Sequence, residues 1–320
     1  MKYVIGFISF LSACLPDLGA PQSLILGPRI LSVRSEPPEV FPDEKVQLSV
    51  VAVEASGELL SASAPVEWAF CTSPKRPVEN NVVDAGCLGN EVRLLPANVQ
   101  TVSTQVPSDA CALFGPQSPP STGESGTPRP RDPDETGGYY QPVRVSVLGL
   151  RAIGLIRIRC GLASATPEVA ARFRAEYQPN RNPDTALLHI HHNGQTISSK
   201  NLPAGQPLLL RLVFPNSIQE TYLRFDPASQ SLAQTPETLR TSWLSAQGSF
   251  QSGQTWATPF DENNHVAETL WTAPEVPGSV LLHTVLRDSR GGVLSQTHPV
   301  EIKIRQSAQN AHVGGQKWDD

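Results

Sequence analysis

Three histidines within four residues are the first place in this chain where a metal ion could bind. On a strand, His189 and His191 share one face, and two imidazoles at that spacing can begin a zinc or copper site. A third ligand would have to come from a distant residue such as His283 or Glu220, and no motif fixes that geometry. The favoured interpretation is an exposed strand end, so we predict no metal and no other cofactor.

Two acidic loops offer the hard oxygen ligands that calcium prefers. Neither loop has the D-x-D-x-D-G spacing of an EF-hand, and solvated turns explain the same composition. We favour the solvated turns and keep calcium as the alternative. The residues concerned are Asp132, Asp134, Glu135, Asp261, Glu262, Asn263 and Asn264.

Motifs for nucleophilic catalysis and phosphate binding are missing from the sequence. It contains no G-x-S-x-G elbow and no G-x-x-x-x-G-K loop. Gly123-Glu124-Ser125-Gly126 lies in a proline-rich stretch that cannot hold a strained elbow. We therefore predict that the protein is not an enzyme.

Aromatic side chains are the better candidates for contact with a ligand, because exposed rings serve as stacking platforms for sugars and as anchors for proteins. Tyr139 and Tyr140 follow a glycine pair, and Trp256 stands in a polar loop. We predict that these three residues contact a protein or glycan partner. Three other tryptophans fall in strand patterns and are assigned to the core: Trp68, Trp243 and Trp271.

The N-terminus has the layout of a secretory signal that ends at a cysteine. Lys2 precedes a short apolar run, and Leu11-Ser12-Ala13-Cys14 closes it. A span across the bilayer needs about 20 apolar residues, so this run is too short for one. The four closing residues resemble the lipobox of bacterial lipoproteins, although an ordinary signal peptide with an incidental cysteine is the alternative.

The lipobox resemblance implies an address and a membrane anchor. It implies cleavage after residue 13 and acylation of Cys14, which would become the new N-terminus. Leu15 rather than aspartate follows the cysteine. By the sorting pattern of enteric lipoproteins, this implies the outer membrane.

Four cysteines remain once Cys14 carries the lipid, and an even number in an exported chain argues for two disulfides. A metal site is disfavoured because no C-x-x-C pair accompanies them. Of the three possible connectivities we favour Cys71 with Cys87, which closes a short loop, and Cys111 with Cys160. The second pair would tie a long insertion to the core.

Composition predicts an all-β protein of two sandwich domains in tandem. The 320 residues include 30 prolines and 23 glycines that separate short apolar runs. The net charge of −5 is scattered, with no basic run to bind nucleic acid. The predicted segments are a signal at 1–13, a lipidated tether at 14–28, a sandwich at 29–178 with a disordered insertion at about 72–138, a second sandwich at 184–305 and a disordered tail at 306–320.

Two passages resemble bacterial immunoglobulin-like domains. Pro37-Pro38-Glu39-Val40 matches the turn between their first two strands, and Trp68 matches the tryptophan of strand C. Leu270-Trp271-Thr272-Ala273-Pro274 and Gly291-Gly292 resemble the later half of the PKD-like variety. The arrangement is similar to lipoproteins of high-GC Gram-negative bacteria that carry such domains in tandem.

The resemblance implies a non-catalytic function in the cell envelope. We expect a lipid-anchored structural, adhesive or binding module with a protein or glycan partner. A subunit of an envelope secretion or motility complex is the first alternative. A metal-binding or hydrolytic enzyme is the second.

Overall fold

A computed structural model describes residues 21–74, 83–96, 98–116, 138–257 and 265–304. Several predicted features fall outside these ranges: Cys14 and residues 14–20 of the tether, the acidic residues at 132–135 and 261–264, and the tail at 306–320. Within the described ranges, no helix has the length and apolar character needed to cross a bilayer.

The first sandwich is built from two sheets. The strand Lys45–Val53 shows the alternation expected when one face of a sheet is buried. Val46, Leu48 and Val50 are buried, while the residues between them face outward. The sheet orders are β1-β3-β6 and β2-β8-β7-β4-β5. The strands are β1 (Arg29–Glu36), β2 (Glu39–Val40), β3 (Lys45–Val53), β4 (Glu67–Cys71), β5 (Val92–Leu94), β6 (Thr101–Gln105), β7 (Gly138–Val147) and β8 (Leu150–Arg159).

Helices play a small part in this first unit. They are a 3-10 turn at Ala85–Leu88, α1 (Ala110–Phe114) and α2 (Pro167–Glu176). The last of these, α2, is the longest helix among the described residues. Its start is typical of helices, because Thr166 Oγ1 accepts a hydrogen bond from Val169 N and a proline follows at the first turn.

The second sandwich also has two sheets, ordered β10-β9-β12-β18-β16 and β11-β20-β19-β15-β17, plus the hairpin β13-β14. A 3-10 turn lies at Asn216–Ile218. The strands are β9 (Leu187–His192), β10 (Gln195–Ile197), β11 (Leu202–Pro203), β12 (Pro207–Val213), β13 (Thr221–Asp226), β14 (Ser231–Pro236), β15 (Leu239–Ser245), β16 (Ser249–Phe250), β17 (Gln254–Ala257), β18 (Val266–Thr272), β19 (Gly278–Asp288) and β20 (Val293–Lys303).

Each sandwich is filled around buried tryptophans, as the sequence predicted for Trp68, Trp243 and Trp271. Each buried indole N–H also has an acceptor, which removes the cost of burying a donor. Trp68 Nε1 donates to Val99 O at 2.7 Å, and Trp243 Nε1 donates to Thr255 Oγ1 at 2.9 Å. The all-β, tandem-sandwich prediction is confirmed.

The structure pairs Cys71 with Cys87 and Cys111 with Cys160, the connectivity favoured from the sequence. The paired Cα atoms lie 5.1 and 5.5 Å apart. The first bridge joins β4 to the 3-10 turn, and the second joins α1 to the residue after β8. Both disulfides therefore attach the insertion that follows β4 to the first sandwich.

The prediction of a disordered insertion at about 72–138 was wrong for its middle part. Strand β6 pairs with β3 and completes the three-stranded sheet. Val102, Val106, Ala110 and Phe114 are buried in the core of the first sandwich. These apolar side chains are spaced along a polar stretch, so the overall composition of the insertion did not indicate that part of it packs into the core.

Residues 21–28 of the predicted tether are attached to the second sandwich by backbone hydrogen bonds. Ile25 N donates to Ser245 O at 2.9 Å, and Ser245 N donates to Ser23 O at 3.0 Å. Ile25 is 2% exposed. This segment is therefore packed on the second sandwich before the chain enters β1 of the first.

Candidate functional site

An apolar cluster joins the two sandwiches. It is formed by side chains from the N-terminal segment, from β1 and β3 of the first sandwich, and from β15, β19 and β20 of the second. Burial of this kind contributes about 25 cal/mol per Å² of apolar surface. The cluster consists of Ile25, Leu31, Val53, Leu244, Val285 and Val293.

A buried ionic network, which we call the junction network, lies beside that cluster and is centred on Arg290. The Arg290 guanidinium donates from Nε to Glu237 Oε1 at 2.6 Å and from Nη2 to Glu220 Oε2 at 2.7 Å. Its Nη1 donates to Gln178 O at 2.9 Å and to Tyr177 Oη at 3.2 Å. Arg290 therefore links the last hairpin of the second sandwich to the end of α2.

Glu39 carries the junction network into the first sandwich. Tyr177 Oη donates to Glu39 Oε1 and Oε2, both at 3.0 Å, and Asn180 N donates to Oε2 at 2.8 Å. Arg157 Nε lies 3.4 Å from Glu39 Oε1. Each buried carboxylate of the junction thus faces donors, as the cost of burying a charge requires.

Burial changes the protonation of this network. It raises the pKa of Glu237 to about 7, with Asp288 adding to the rise and Arg290 opposing it. It also raises the pKa of Tyr177 to about 12, so the phenol stays protonated and donates to Glu39. Burial alone would lower the pKa of Arg290, but Glu237 and Tyr177 raise it, and the guanidinium remains charged.

Residues 180–183, which lie between the two predicted sandwich segments, belong to this junction. Asn180 is buried, and its Nδ2 donates to Asp288 Oδ1 at 3.2 Å. Asn182 Nδ2 donates to Ser35 O at 2.7 Å, while Val293 N donates to Asn182 Oδ1 at 2.8 Å. The amide side chain of Asn182 therefore bridges the two sandwiches.

An open cleft of about 450 Å³ lies beside the junction, between the sandwiches. Both units contribute to its walls. The first sandwich supplies Val33, Tyr140, Ile153, Gly154 and Leu155; the second supplies Thr238, Arg240, Trp256, Arg287, Asp288, Ser289, Gly291 and Val293. The volume lies in the range of sites for small ligands, about 300–1,000 Å³.

One wall of the cleft is a row of three side chains on neighbouring strands. Arg287 on β19 stands opposite Arg240 on β15, and Arg240 stands opposite Trp256 on β17. The Arg240 guanidinium carbon lies 5.4 Å from the centre of the Trp256 ring. Directly opposed residues share one face of a sheet, so the row presents two cations and an indole together.

Arg287 is held in place by the first sandwich. Its Nη2 donates to Leu31 O at 3.1 Å. Burial, together with the neighbouring Arg240 charge, lowers the pKa of Arg287 to about 10. The guanidinium is still protonated at neutral pH, and among the described residues neither Arg240 nor Arg287 forms a salt bridge.

Two of the three aromatic residues predicted to contact a partner meet in this cleft. Trp256 is 58% exposed, and Tyr140 is half-buried on the opposite wall. Tyr140 packs on the last hairpin, where a Cβ added to Gly291 would lie 3.5 Å from its ring. Its Oη also accepts a hydrogen bond from Arg157 Nη1 at 3.1 Å.

The expectation that Tyr139 is exposed was wrong. Its side chain is 3% exposed and belongs to the core of the first sandwich. Successive residues of a strand point to opposite faces, so only one of the two tyrosines of β7 reaches the cleft. Tyr140 is that residue, and the sequence alone did not indicate which of the pair faces inward.

The structure does not bring the candidate metal ligands together. His283 is buried and contacts Gly57 O at 2.8 Å, while Glu220 contacts Arg290. His191 lies apart from both, in a shallow depression on β9 and β12. In the ranges that the structure describes, no three His, Cys, Asp or Glu side chains are grouped as a metal site. The absence of a metal stays a prediction.

His298 and His283 give the protein a predictable response to acid. Burial lowers the pKa of His298 to about 4, and the adjacent His283 contributes; the pKa of His283 is lowered too. A histidine with a lowered folded-state pKa stabilises the fold above its unfolded value near 6.5, and that contribution is lost as pH falls toward 4. Between pH 7 and 5, the wild type should therefore lose about 1–2 kcal/mol relative to His298→Asn.

Urea unfolding at both pH values measures this difference. Comparing two proteins that share Glu237 cancels the opposite pH dependence of that carboxyl. His189→Asn, at an exposed position of β9, is the matched control and should follow the wild type. Parallel curves for the wild type and His298→Asn would show that His298 is not held neutral.

Comparisons with known proteins find only distant structural similarity. No family model and no curated protein matches the chain. Among solved structures, the D0-D1 domain of intimin is 9% identical with a TM-score of 0.22, covering 85% of this chain and 98% of that one. The Yersinia pseudotuberculosis adhesin InvE is 10% identical with a TM-score of 0.23, covering 87% and 61%. The Escherichia coli adhesin FdeC is 10% identical with a TM-score of 0.21, covering 89% and 66%.

Proposed function

We propose that this protein is a lipid-anchored, non-catalytic binding module of the bacterial cell envelope. A protein or glycan partner would enter the cleft between its two sandwiches. One observation carries the proposal: Tyr140 and Trp256, from different sandwiches, line the same open cleft together with Arg240 and Arg287. Aromatic and arginine side chains dominate the energy of most binding surfaces.

The junction supports this function by fixing the walls of the cleft before a partner arrives. The hydrogen bonds from Arg290 and Asn182 and the apolar cluster all connect one sandwich to the other. A site whose parts are already positioned loses less conformational entropy on binding. The cleft is therefore suited to recognition without a large rearrangement of the two units.

The proposed anchor would hold this module near the membrane. Cys14 precedes Ser23, the first contact on the second sandwich, by nine residues. At about 3.3–3.6 Å per residue, that segment spans at most about 30 Å. The three acyl chains of a mature lipoprotein would give firm attachment, because one chain alone binds a bilayer only marginally. We place the protein in the outer membrane, on the basis of Leu15.

Replacing Cys14 tests the anchor. Cys14→Ala should incorporate no labelled palmitate and should move from the membrane fraction to the soluble fraction of the envelope. Cys71→Ala with Cys87→Ala is the matched control, since it removes two cysteines that are joined in a disulfide but leaves the acceptor of the lipid. An unchanged membrane fraction for Cys14→Ala would contradict lipid anchoring.

A cross-linked pull-down from the native envelope, read by mass spectrometry, tests the binding function. We expect the wild-type lipoprotein to capture a protein or a polysaccharide reproducibly. A fixed set of partners in constant stoichiometry would indicate a subunit of an envelope complex instead. Capture of nothing above a tag-only control would contradict the proposed function.

A further inference from the structure

Among the residues that the structure describes, no acid forms an ion pair with the two arginines of the cleft. Arg240 and Arg287 are direct cross-strand neighbours, and opposed residues have Cβ atoms about 4.5–5.5 Å apart. Like charges at that separation destabilise a sheet. On the other sheet of the same sandwich, Arg211 stands opposite Glu268 and contacts it. The described part of the second sandwich thus has a balanced pair on one sheet and an unbalanced pair of arginines on the other.

The acid that lines the described part of the cleft does not supply the missing charge. Asp288 Oδ1 accepts hydrogen bonds from the backbone nitrogens of Arg290 and Gly292, both at 2.8 Å. Both of its oxygens also accept from Asn180 Nδ2. This carboxyl is committed to the turn before β20, so among the described residues no acid occupies the guanidinium groups of Arg240 and Arg287.

The shape of the row favours a ring-bearing ligand over an extended peptide. Strands β15 and β19 are interior strands, each bonded on both sides, so the backbone of Arg240 and Arg287 is occupied by the sheet. Arg240 and Arg287 can therefore contact a ligand only through their side chains. The groups they offer are planar: the exposed Trp256 indole, two guanidinium forks and, across the cleft, the Tyr140 ring.

We infer that the cleft binds an acidic glycan. In this inference, which rests on the proposed function, a sugar ring stacks on Trp256 while its carboxylate or sulfate groups bond to Arg240 and Arg287. Guanidinium groups bind such anions through two parallel hydrogen bonds, which fixes the orientation of the ligand. Tyr140 forms the facing wall, and the contact from Arg287 to Leu31 O holds that arginine toward the cleft.

Binding of defined oligosaccharides to the full-length lipoprotein in detergent tests the inference. The probes are oligogalacturonate and a heparin-derived oligosaccharide, with the methyl ester of oligogalacturonate as the uncharged match. An oligoaspartate peptide represents the other class of anion. We expect at least one acidic oligosaccharide to bind, at least tenfold more tightly than the uncharged ester and than the peptide.

Variants locate the binding. Arg240→Glu and Trp256→Ala should each lower the affinity for the acidic sugar at least tenfold. The first variant removes an anion contact, and the second removes the stacking surface. Matched controls at exposed positions outside the cleft, Arg174→Glu on α2 and Leu187→Ala on β9, should bind as the wild type does. A single cooperative thermal transition and a circular dichroism spectrum like that of the wild type confirm that each of the four variants is folded.

Three outcomes overturn the inference. Neither acidic sugar binds, the peptide binds more tightly than both, or sugar binding survives Arg240→Glu and Trp256→Ala. In each case the envelope pull-down still decides the proposed function separately. A partner captured by the wild type would keep the binding module and reject the acidic glycan, whereas failure of both experiments would reject both.

Discussion

Replacing Arg290 with alanine should lower the free energy of unfolding by about 3–5 kcal/mol, the usual effect of breaking a buried ion pair. The reason is the set of groups left behind. Glu237 is 0% exposed and would lose its 2.6 Å partner, and Glu220 would lose a second donor. Tyr177 would lose its contact with the second sandwich through Arg290. The loss therefore falls on the junction and not on the core of either unit.

Chemical unfolding followed by tryptophan fluorescence measures the effect, and limited proteolysis locates it. In Arg290→Ala, new cleavage should begin near residues 178–184, where the junction opens. Arg181→Ala is the matched control: it also contacts Glu220, but its side chain is 77% exposed, so its removal should cost less than about 1 kcal/mol. A loss below 1 kcal/mol for Arg290→Ala would mean that the network does not hold the sandwiches together.

Removing the Cys111–Cys160 disulfide should cost about 4 kcal/mol. The chain-entropy model of cross-links gives that value for a sequence separation of 49 residues, and about 3 kcal/mol for the separation of 16 between Cys71 and Cys87. The longer bridge restrains more of the unfolded chain. Cys111→Ser with Cys160→Ser should therefore destabilise the protein more than Cys71→Ser with Cys87→Ser.

Urea unfolding of the two double variants under non-reducing conditions tests this order. Both variants remove a complete pair, so no unpaired thiol remains to form a wrong bridge. The wild type in reducing buffer should be less stable than either double variant. A reversed order would show that the constraint on the unfolded chain is not the main contribution of these bridges.

Local patterns were sufficient to predict the fold class. Alternation in β3 and the burial of Trp68, Trp243 and Trp271 follow from residues that are near one another in sequence. The turn between β19 and β20 was also predictable, since Gly291 adopts a φ of +99°, which favours glycine. These features depend on residues that are close in sequence, so the sequence pattern predicts them directly.

The cleft and the junction could not be predicted in the same way. Tyr140 and Trp256 lie on different sandwiches, and their meeting depends on how the two units pack. The contact between Glu39 and Tyr177 could not be predicted, because the sequence does not distinguish a buried glutamate from an exposed one. Only the long-range arrangement shows that a glutamate near the start of the chain pairs with the end of α2.

The pattern around β6 carried a signal that composition obscured. Val102 and Val106 flank a short alternating run in a stretch otherwise rich in polar residues and proline. The residue composition of the whole insertion, which is mostly polar, does not reveal that run. The short run and the nearby Cys111, which bonds to Cys160, together mark a segment tied to the core.

Site-specific photo-cross-linking in the native envelope tests the central claim most directly. A photoreactive aromatic residue would replace Trp256 in the lipoprotein, and a second variant would carry it at Leu187, which is 64% exposed on β9. If the cleft is the binding surface, illumination should attach a partner at position 256 and none at position 187. Cross-linking at position 187 with none at position 256 would show that the protein engages its partner elsewhere.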